Sequence, residues 1–210
     1  MAWLVDTTRR EVSRLHSQRE CADAKPVAAG KIKGVAFLGV VKLLRSRKDD
    51  SFALLRPELH HYLTETVHPS GWYLEAEHAE LLKAGSQLFG GSPDRALELM
   101  GELAARGHSE IYHELLVGHG SPSRTFAMWT TQHDTGELRR VRETATRMRF
   151  ELVKFEAASR EQCLVLTGYF RGTFAVNGFS DVNVEKLGCK LWGDDSCVWR
   201  CSWKRPETGE

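Results

Sequence analysis

The sequence lacks an excess of charge of either sign and any long hydrophobic run. Its 210 residues include 29 lysines and arginines against 28 aspartates and glutamates, so the formal net charge is +1 at pH 7. Such a chain has no long-range attraction to nucleic acid or to an anionic membrane, and we expect neither as a partner. No apolar stretch approaches the roughly 20 residues of a membrane-spanning helix, and the N-terminal apolar stretch is too short for a signal-peptide core. These absences predict a cytoplasmic protein.

The sequence also lacks the compact motifs of common enzymes. Its 9 histidines are scattered over mostly helical segments, without a His-Glu-x2-His pattern or a Ser-His-Asp grouping. Surface or capping roles account for most of them. Gly90-Gly91-Ser92 lacks the lysine that a phosphate-binding loop places after its glycines. We therefore predict a protein that is not an enzyme.

Apolar residues are abundant, at 41% of the chain, and can supply one full core. Helical patterns dominate up to about residue 132. Residues 34–44 are apolar almost all round and predict a buried helix, while Pro57 can start another. Ser92-Pro93-Asp94 is a sharper helix start, with an N-cap serine and a proline at the first helical position. We expect Gly107 to interrupt the helix that begins there.

The periodicity changes to that of strands after residue 134. Met148, Phe150 and Leu152 alternate with charged residues, as in a strand with one solvent-exposed face. Residues 160–177 return to a helical pattern, and two further strands flank a turn at residues 192–195. This order predicts an α+β domain with a helical N-terminal part packed on an antiparallel sheet, ending in hairpin, helix and hairpin. The expected divisions are a weakly helical extension at 1–30, the single domain at 31–205 and a tail at 206–210.

Three cysteines in the last quarter of the chain, Cys163, Cys189 and Cys197, stand 26 and 8 residues apart. A hairpin through residues 189–197 would place the last two opposite each other, with Cβ atoms about 5 Å apart. A helix packed on that hairpin could deliver Cys163, and a tetrahedral zinc would accept three thiolates plus a carboxylate or water. Glu185 is the nearest acidic candidate, with Asp194 behind it. Buried thiols without metal are the alternative, since a disulfide is disfavoured in a reducing compartment.

The cysteines belong to a wider pattern with glycines. Cys163-x4-Gly168-Tyr169-Phe170-x-Gly172, followed by Val184-Glu185, Cys189 and Gly193-Asp194-x2-Cys197, resembles the C-terminal half of the 4-vinyl reductase domain. That family shares a superfamily with the haem-nitric-oxide (H-NOX) sensors and the TRAPP trafficking subunits. The resemblance covers about residues 93–203. It implies an α+β ligand-sensing domain, often dimeric, found alone or attached to bacterial regulators.

The resemblance also implies a structural zinc. Several members hold zinc with three cysteines and one glutamate, which correspond here to Cys163, Cys189, Cys197 and Glu185 as the acidic residue just before the second cysteine. The family glutamate usually stands three residues before that cysteine, where this chain has Lys186. We predict a zinc that joins the last helix to the last hairpin, with Glu185 displaced by one position.

An effector pocket is the second implication. In the resembling sensors it lies between the helical layer and the sheet, so we predict Trp129, Tyr169, Tyr112 and Phe126 as residues that bind a small apolar or aromatic ligand. An ordinary filled core is the alternative. Haem is not expected, because the Tyr-x-Ser-x-Arg element of the haem sensors is absent; Ser121-Pro122-Ser123-Arg124 retains only the Ser-x-Arg portion.

Together these features predict a non-enzymatic sensor or regulatory domain that forms a homodimer and acts through a regulatory protein partner. Ligand binding would shift the population of its conformations. The second hypothesis is an interaction scaffold like the trafficking subunits, with a filled core and no ligand. The third is an enzyme acting on a tetrapyrrole, which no acid, base or cofactor motif supports.

Overall fold

A computed structural model describes residues 30–111 and 128–204 of the chain. The helices are α1 (Gly34–Ser46), α2 (Lys48–Leu54), α3 (His61–Thr64), α4 (Glu75–Leu88), α5 (Pro93–Ile111), α6 (Trp129–Gln132) and α7 (Arg160–Val176). The strands are β1 (Lys31–Lys33), β2 (Trp72–Leu74), β3 (Glu137–Thr144), β4 (Arg147–Val153), β5 (Ser180–Gly188) and β6 (Cys197–Lys204). Within these ranges, no helix has the length and apolar character needed to cross a membrane.

Four antiparallel strands form the main sheet, in the order β3-β4-β6-β5. Each of the two hairpins contributes neighbouring strands, and their second strands, β4 and β6, pair at the centre. Met148, Phe150 and Leu152 are buried along β4 while their neighbours are not, because alternate side chains of a strand point to opposite faces. The prediction of an α+β domain that ends in hairpin, helix and hairpin is confirmed.

Helix α7 covers one face of this sheet with an aromatic layer. Phe170 stacks on Phe150, with ring centroids 4.8 Å apart, and meets Trp199 edge-on at 5.3 Å. All three side chains are fully buried. The Trp199 indole donates a hydrogen bond of 3.0 Å to Thr167 Oγ1, so its polar atom is satisfied inside the core. This layer forms the core of the C-terminal half.

A second core lies among the N-terminal helices. Phe37 and Val41 of α1 pack there with Leu81 of α4 and Leu97 of α5, all of them buried. Leu164 and Val165, on the other side of α7 from the aromatic layer, also contact this cluster. Helix α7 therefore takes part in both cores and joins the two halves of the domain.

Two expectations about the helices differ from the structure. Helix α5 continues through Gly107 without interruption, because its packing against α7 outweighs the roughly 1 kcal/mol by which glycine disfavours a helix. The segment after Pro57 forms a 3-10 turn at Pro57–Leu59 and the separate one-turn helix α3. The predicted tail and residues 1–29 of the predicted extension lie outside the described residues.

Glycines let α5 and α7 cross at close range. A Cβ atom on Gly101 would overlap the carbonyl oxygen of Val165, and one on Gly168 would overlap the carbonyl oxygen of Glu98. A Cβ on Gly172 would also come within 3.0 Å of α5. The sequence indicated this crossing, since Gly168 and Gly172 share one helix face.

We expect Gly101→Ala to lower the free energy of unfolding by about 1–3 kcal/mol, because the added methyl group must push the two helices apart. Gly107→Ala is a matched control on the same helix, where a Cβ would meet nothing within 4 Å. It should raise the free energy of unfolding by about 0.5–1 kcal/mol, since alanine favours a helix. Urea unfolding followed by circular dichroism measures both; equal effects would contradict the close crossing.

Candidate ligand cavity and metal centre

A cavity of about 590 Å³ lies between the N-terminal helices and the α5–α7 pair. Its wall is mostly apolar and includes Val35 of α1, Met100 of α5 and Val165 of α7. Among the described residues of the main sheet, Leu138 alone reaches it. The wall is thus mostly helical. Leu166 and Phe170 of α7, which pack in the core against the sheet, also line the cavity, so it reaches the edge of the space between α7 and the sheet.

Two of the four predicted ligand-binding residues, Trp129 and Tyr169, line this cavity. The Trp129 ring stacks on His133, with centroids 3.7 Å apart and planes within 9° of parallel. The Tyr169 hydroxyl reaches into the helical half of the domain. The other two, Tyr112 and Phe126, lie outside the described residues. The binding role of all four stays a prediction.

Three histidines that the sequence assigned to surface or capping roles also line the cavity: His78, His108 and His133. They come from α4, from α5 and from the residue that follows α6. His108 Nδ1 lies 3.0 Å from the Tyr169 hydroxyl, and His133 Nδ1 lies 2.5 Å from a carboxylate oxygen of Glu75. The fold therefore gathers polar groups that are far apart in sequence.

The sequence around His78 carries a signal that this histidine is buried. His78 stands three and four residues before Leu81 and Leu82, and that spacing places all three on one face of a helix. Both leucines are buried in the structure. A histidine on the apolar face of a helix indicates a buried imidazole, whereas the approach of His108 and His133 depends on tertiary packing.

The imidazole of His78 is buried and its Nδ1 atom has no hydrogen-bond partner. Burial lowers the pKa of His78 from 6.5 to about 4, and repulsion from His133 adds to this, while Glu75 and Gln162 oppose it. Burial, with a smaller repulsion from His133, also lowers the pKa of His108. Both rings are therefore neutral at pH 7. His78 Nδ1 lies 4.0 Å from a carboxylate oxygen of Glu75, which is beyond hydrogen-bond distance.

The lowered pKa of His78 predicts a loss of stability in acid. The native state binds fewer protons than the unfolded chain between pH 6.5 and about pH 4, so the contribution of His78 is fully present above this window and is lost as pH falls through it. The slope is up to about 1.4 kcal/mol per pH unit.

We expect His78→Gln, which cannot titrate there, to show a shallower fall in the free energy of unfolding than the wild type over this window. Urea unfolding at a series of pH values measures the difference. His61→Gln is the control, because His61 is exposed and should leave the profile unchanged. Parallel profiles for wild type and His78→Gln would rule out a buried neutral imidazole.

The three predicted cysteine ligands meet at one buried point where α7 approaches the last hairpin. The Sγ distances are 3.7 Å for Cys163 and Cys189, 3.9 Å for Cys163 and Cys197, and 3.8 Å for Cys189 and Cys197. A tetrahedral zinc with Zn–S bonds of about 2.3 Å places its sulfur ligands about 3.8 Å apart. The thiols thus already have the spacing of zinc ligands. In the described ranges, no carboxylate or histidine joins this group.

Local structure fixes the positions of these thiols. Cys163 lies in the first turn of α7, which Ser159 caps with its side chain. Cys189 follows β5, and its backbone N–H donates a hydrogen bond of 2.7 Å to Asp194 Oδ2. Gly193 adopts a φ of 92°, the left-handed conformation that lets the chain turn back towards β6. Asp194, the second acidic candidate, is therefore engaged by the backbone of the turn.

The predicted fourth ligand, Glu185, points to the opposite face of the sheet. It is paired with Arg200 on β6, and its carboxylate lies 3.8 Å from that guanidinium. Its neighbour Lys186 is paired with Trp199 and faces α7, with Nζ 3.3 Å from Cys163 Sγ. The Glu185 prediction is therefore corrected, because a displacement of one residue along a strand reverses the face of the side chain.

The surroundings of Cys163 favour its thiol over its thiolate in the absence of a metal. Hydrogen bonds with Cys189 and Cys197, together with burial, raise the pKa of the Cys163 thiol, and Lys186 opposes them. A metal would therefore displace protons when it binds. Cys201, also buried on β6, does not belong to the cluster.

No family model and no curated protein matches this chain. Solved structures do. A single-site mutant of T. tengcongensis H-NOX matches with a TM-score of 0.60 at 15% identity, over 84% of this chain and 100% of that one. A triple mutant of an H-NOX protein from S. oneidensis in the Fe(II) ligation state gives 0.63 at 10% identity, over 84% and 98%. Fe(II) unliganded H-NOX from K. algicida gives 0.61 at 15% identity, over 85% and 100%.

The chain has the H-NOX fold. Identities of 10–15% show the fold alone. The expected likeness to the fold of the H-NOX sensors is confirmed. The narrower resemblance to 4-vinyl reductase domains stays a prediction.

Proposed function

We propose that the protein is a non-enzymatic sensor domain that binds one small, mostly apolar molecule in the cavity between α1, α5 and α7. The cavity itself carries the proposal, because about 590 Å³ enclosed largely by apolar side chains is the usual form of a small-molecule site. The fold supports it, since the matched S. oneidensis H-NOX protein was also solved in an Fe(II)NO ligation state. An interaction scaffold with a filled core does not account for this space.

The three histidines of the cavity wall support a ligand that carries one polar group. A neutral imidazole has one donor and one acceptor nitrogen, so a ring that meets the ligand can bond its hydroxyl or amine. The apolar body of the ligand would then pack against Val165 and Tyr169. This combination of apolar contact and few polar contacts gives both affinity and orientation.

Helix α7 offers a route from the cavity to an output. It carries Tyr169 at the cavity, Phe170 against the sheet and Cys163 at the thiol cluster. A ligand that binds one position of this helix better than another shifts the population of the domain towards that position. The shift would alter a surface used by a second copy of the chain or by a regulatory protein partner.

A haem is the other ligand that this fold suggests, since the matched H-NOX family includes structures described in terms of heme. The three histidines could supply an axial nitrogen. Haem also carries two carboxylates, and among the described lining residues Lys42 is the one lysine or arginine available to pair with them. The described wall therefore does not fit haem and fits an apolar ligand better.

A thermal-shift assay with small aromatic and aliphatic alcohols tests the cavity. We expect members of this panel to raise the melting temperature of the wild type, since a ligand at 100 times its Kd adds about 2.7 kcal/mol of stability. Gly107→Leu should abolish the shift, because Gly107 lines the cavity and a Cβ there would meet nothing within 4 Å. Ala53→Leu, exposed on α2, places the same side chain outside the cavity and is the control.

Two outcomes would contradict the proposal. One is an equal shift in wild type and Gly107→Leu, which would place the bound alcohol outside the cavity. The other is a Soret band that corresponds to one bound haem per chain when haem is added to the wild type, with loss of that band in Gly107→Leu. The second result would assign the cavity to haem instead.

We further propose that Cys163, Cys189 and Cys197 hold a structural zinc. Sulfur distances of 3.7–3.9 Å match the edge of a tetrahedral zinc site, and all three thiols are buried. Such a zinc would join the first turn of α7 to the last hairpin and stabilise the C-terminal half, because binding free energy becomes folding free energy.

Metal analysis tests this site directly. We expect about one zinc per chain in the wild type and a large loss in Cys189→Ser, with a lower melting temperature, because one thiolate of the site is removed. Cys201→Ser is the matched control, since Cys201 is equally buried on β6 but lies outside the cluster, and it should retain zinc. Near-zero zinc in wild type and Cys189→Ser alike would refute the site.

A further inference from the structure

We propose that Lys186 balances the charge of the zinc centre from outside the coordination sphere, and that a water molecule takes the fourth coordination position. The inference rests on the proposed zinc site and departs from the ligand set that the family resemblance implies. Its starting point is the position of Lys186, whose Nζ lies 3.3 Å from Cys163 Sγ. At the position where the 4-vinyl reductase family usually has its glutamate ligand, this chain has a cation that faces the same thiols.

Strand pairing holds Lys186 on the side of the sheet that faces the thiols. It is paired with Trp199 of β6, and its ammonium lies 3.2 Å from the centroid of the Trp199 ring. That ring is itself fixed by the hydrogen bond of its indole N–H to Thr167. A cation over a fixed aromatic face is held in place and attracted by the ring. Lys186 is therefore a positioned charge and not a freely moving surface lysine.

Charge balance explains why a lysine suits this position. Zinc with three thiolates carries one net negative charge, which is costly in a buried site unless it is paired. One ammonium beside Cys163 makes the assembly neutral. A carboxylate ligand would instead double the negative charge.

An ammonium group cannot be the fourth ligand, because it has three N–H donors and no lone pair. It can donate a hydrogen bond to a metal-bound sulfur, as outer-shell groups do. The acidic candidates are engaged elsewhere, Glu185 with Arg200 on the other face and Asp194 with the Cys189 N–H. A tetrahedral zinc with three protein ligands takes water in the remaining position. Among the described residues no further histidine or carboxylate joins the thiols, so water is the donor that they leave for the fourth position.

The zinc affinities of the wild type and three variants, measured by competition with a chromophoric chelator, test the role of the charge. We expect Lys186→Gln to weaken zinc binding by about 10–100-fold, the usual effect of removing an outer-shell partner. Lys186→Arg keeps the charge and should stay within a few-fold of the wild type. Lys190→Gln is the control, because Lys190 is the nearby lysine that pairs with Glu156 and should leave the affinity unchanged.

X-ray absorption of the zinc-loaded wild type and Lys186→Gln tests the fourth position. We expect three sulfur neighbours and one oxygen or nitrogen neighbour in both proteins. Loss of the light neighbour in Lys186→Gln would assign it to the lysine amine and overturn the proposal. Four sulfur neighbours, or undiminished affinity in Lys186→Gln, would overturn it as well. A wild type that binds no zinc would instead refute the zinc site itself, so the two failures are distinguishable.

Discussion

The backbone contact between α5 and α7 is the constraint on which the rest of the structure depends. Gly101 and Gly168 bring the two helices so close that a methyl group at either position would overlap a carbonyl oxygen of the other helix. Arg171 reinforces the contact, because its guanidinium lies 2.9 Å from a Glu98 oxygen and 2.8 Å from a Glu102 oxygen. These contacts orient helix α7, with one face against the sheet and the other turned to the helical half.

That position explains why the cavity and the thiol cluster are linked. Phe170 packs between α7 and the sheet against Phe150 and Trp199, and it also lines the edge of the cavity. Tyr169, the preceding residue, lines the cavity on the side of the helical half, where its hydroxyl lies 3.0 Å from His108 Nδ1. Cys163 lies almost two turns earlier, where the same helix meets the last hairpin. A rigid helix with three such contacts cannot shift at one of them without changing the packing at the others.

The sequence predicted those features whose cause is local. Alternation of Met148, Phe150 and Leu152 identified β4, and the spacing of Gly168 and Gly172 identified the crossing face of α7. The cavity was predicted as a property of the domain, but the large share of its wall that the N-terminal helices supply was not. Its position depends on which face of the helix the aromatic residues occupy, and that is decided by packing between segments distant in sequence. The gathering of His78, His108 and His133 has the same origin.

The error at Glu185 shows which kind of inference from spacing fails. The three cysteines sit at a helix start and at the ends of two strands, so their approach needs only the correct pairing of elements. A ligand inside a strand must also lie on the correct face of the sheet, because successive side chains of a strand point to opposite faces. Glu185 lies near the cysteines in sequence but shares a sheet face with its partner Arg200. Lys186 shares the opposite face with its partner Trp199. The charged group beside the cluster is therefore the positive Lys186. It would stabilise a centre of zinc and three thiolates, because that centre carries a net negative charge.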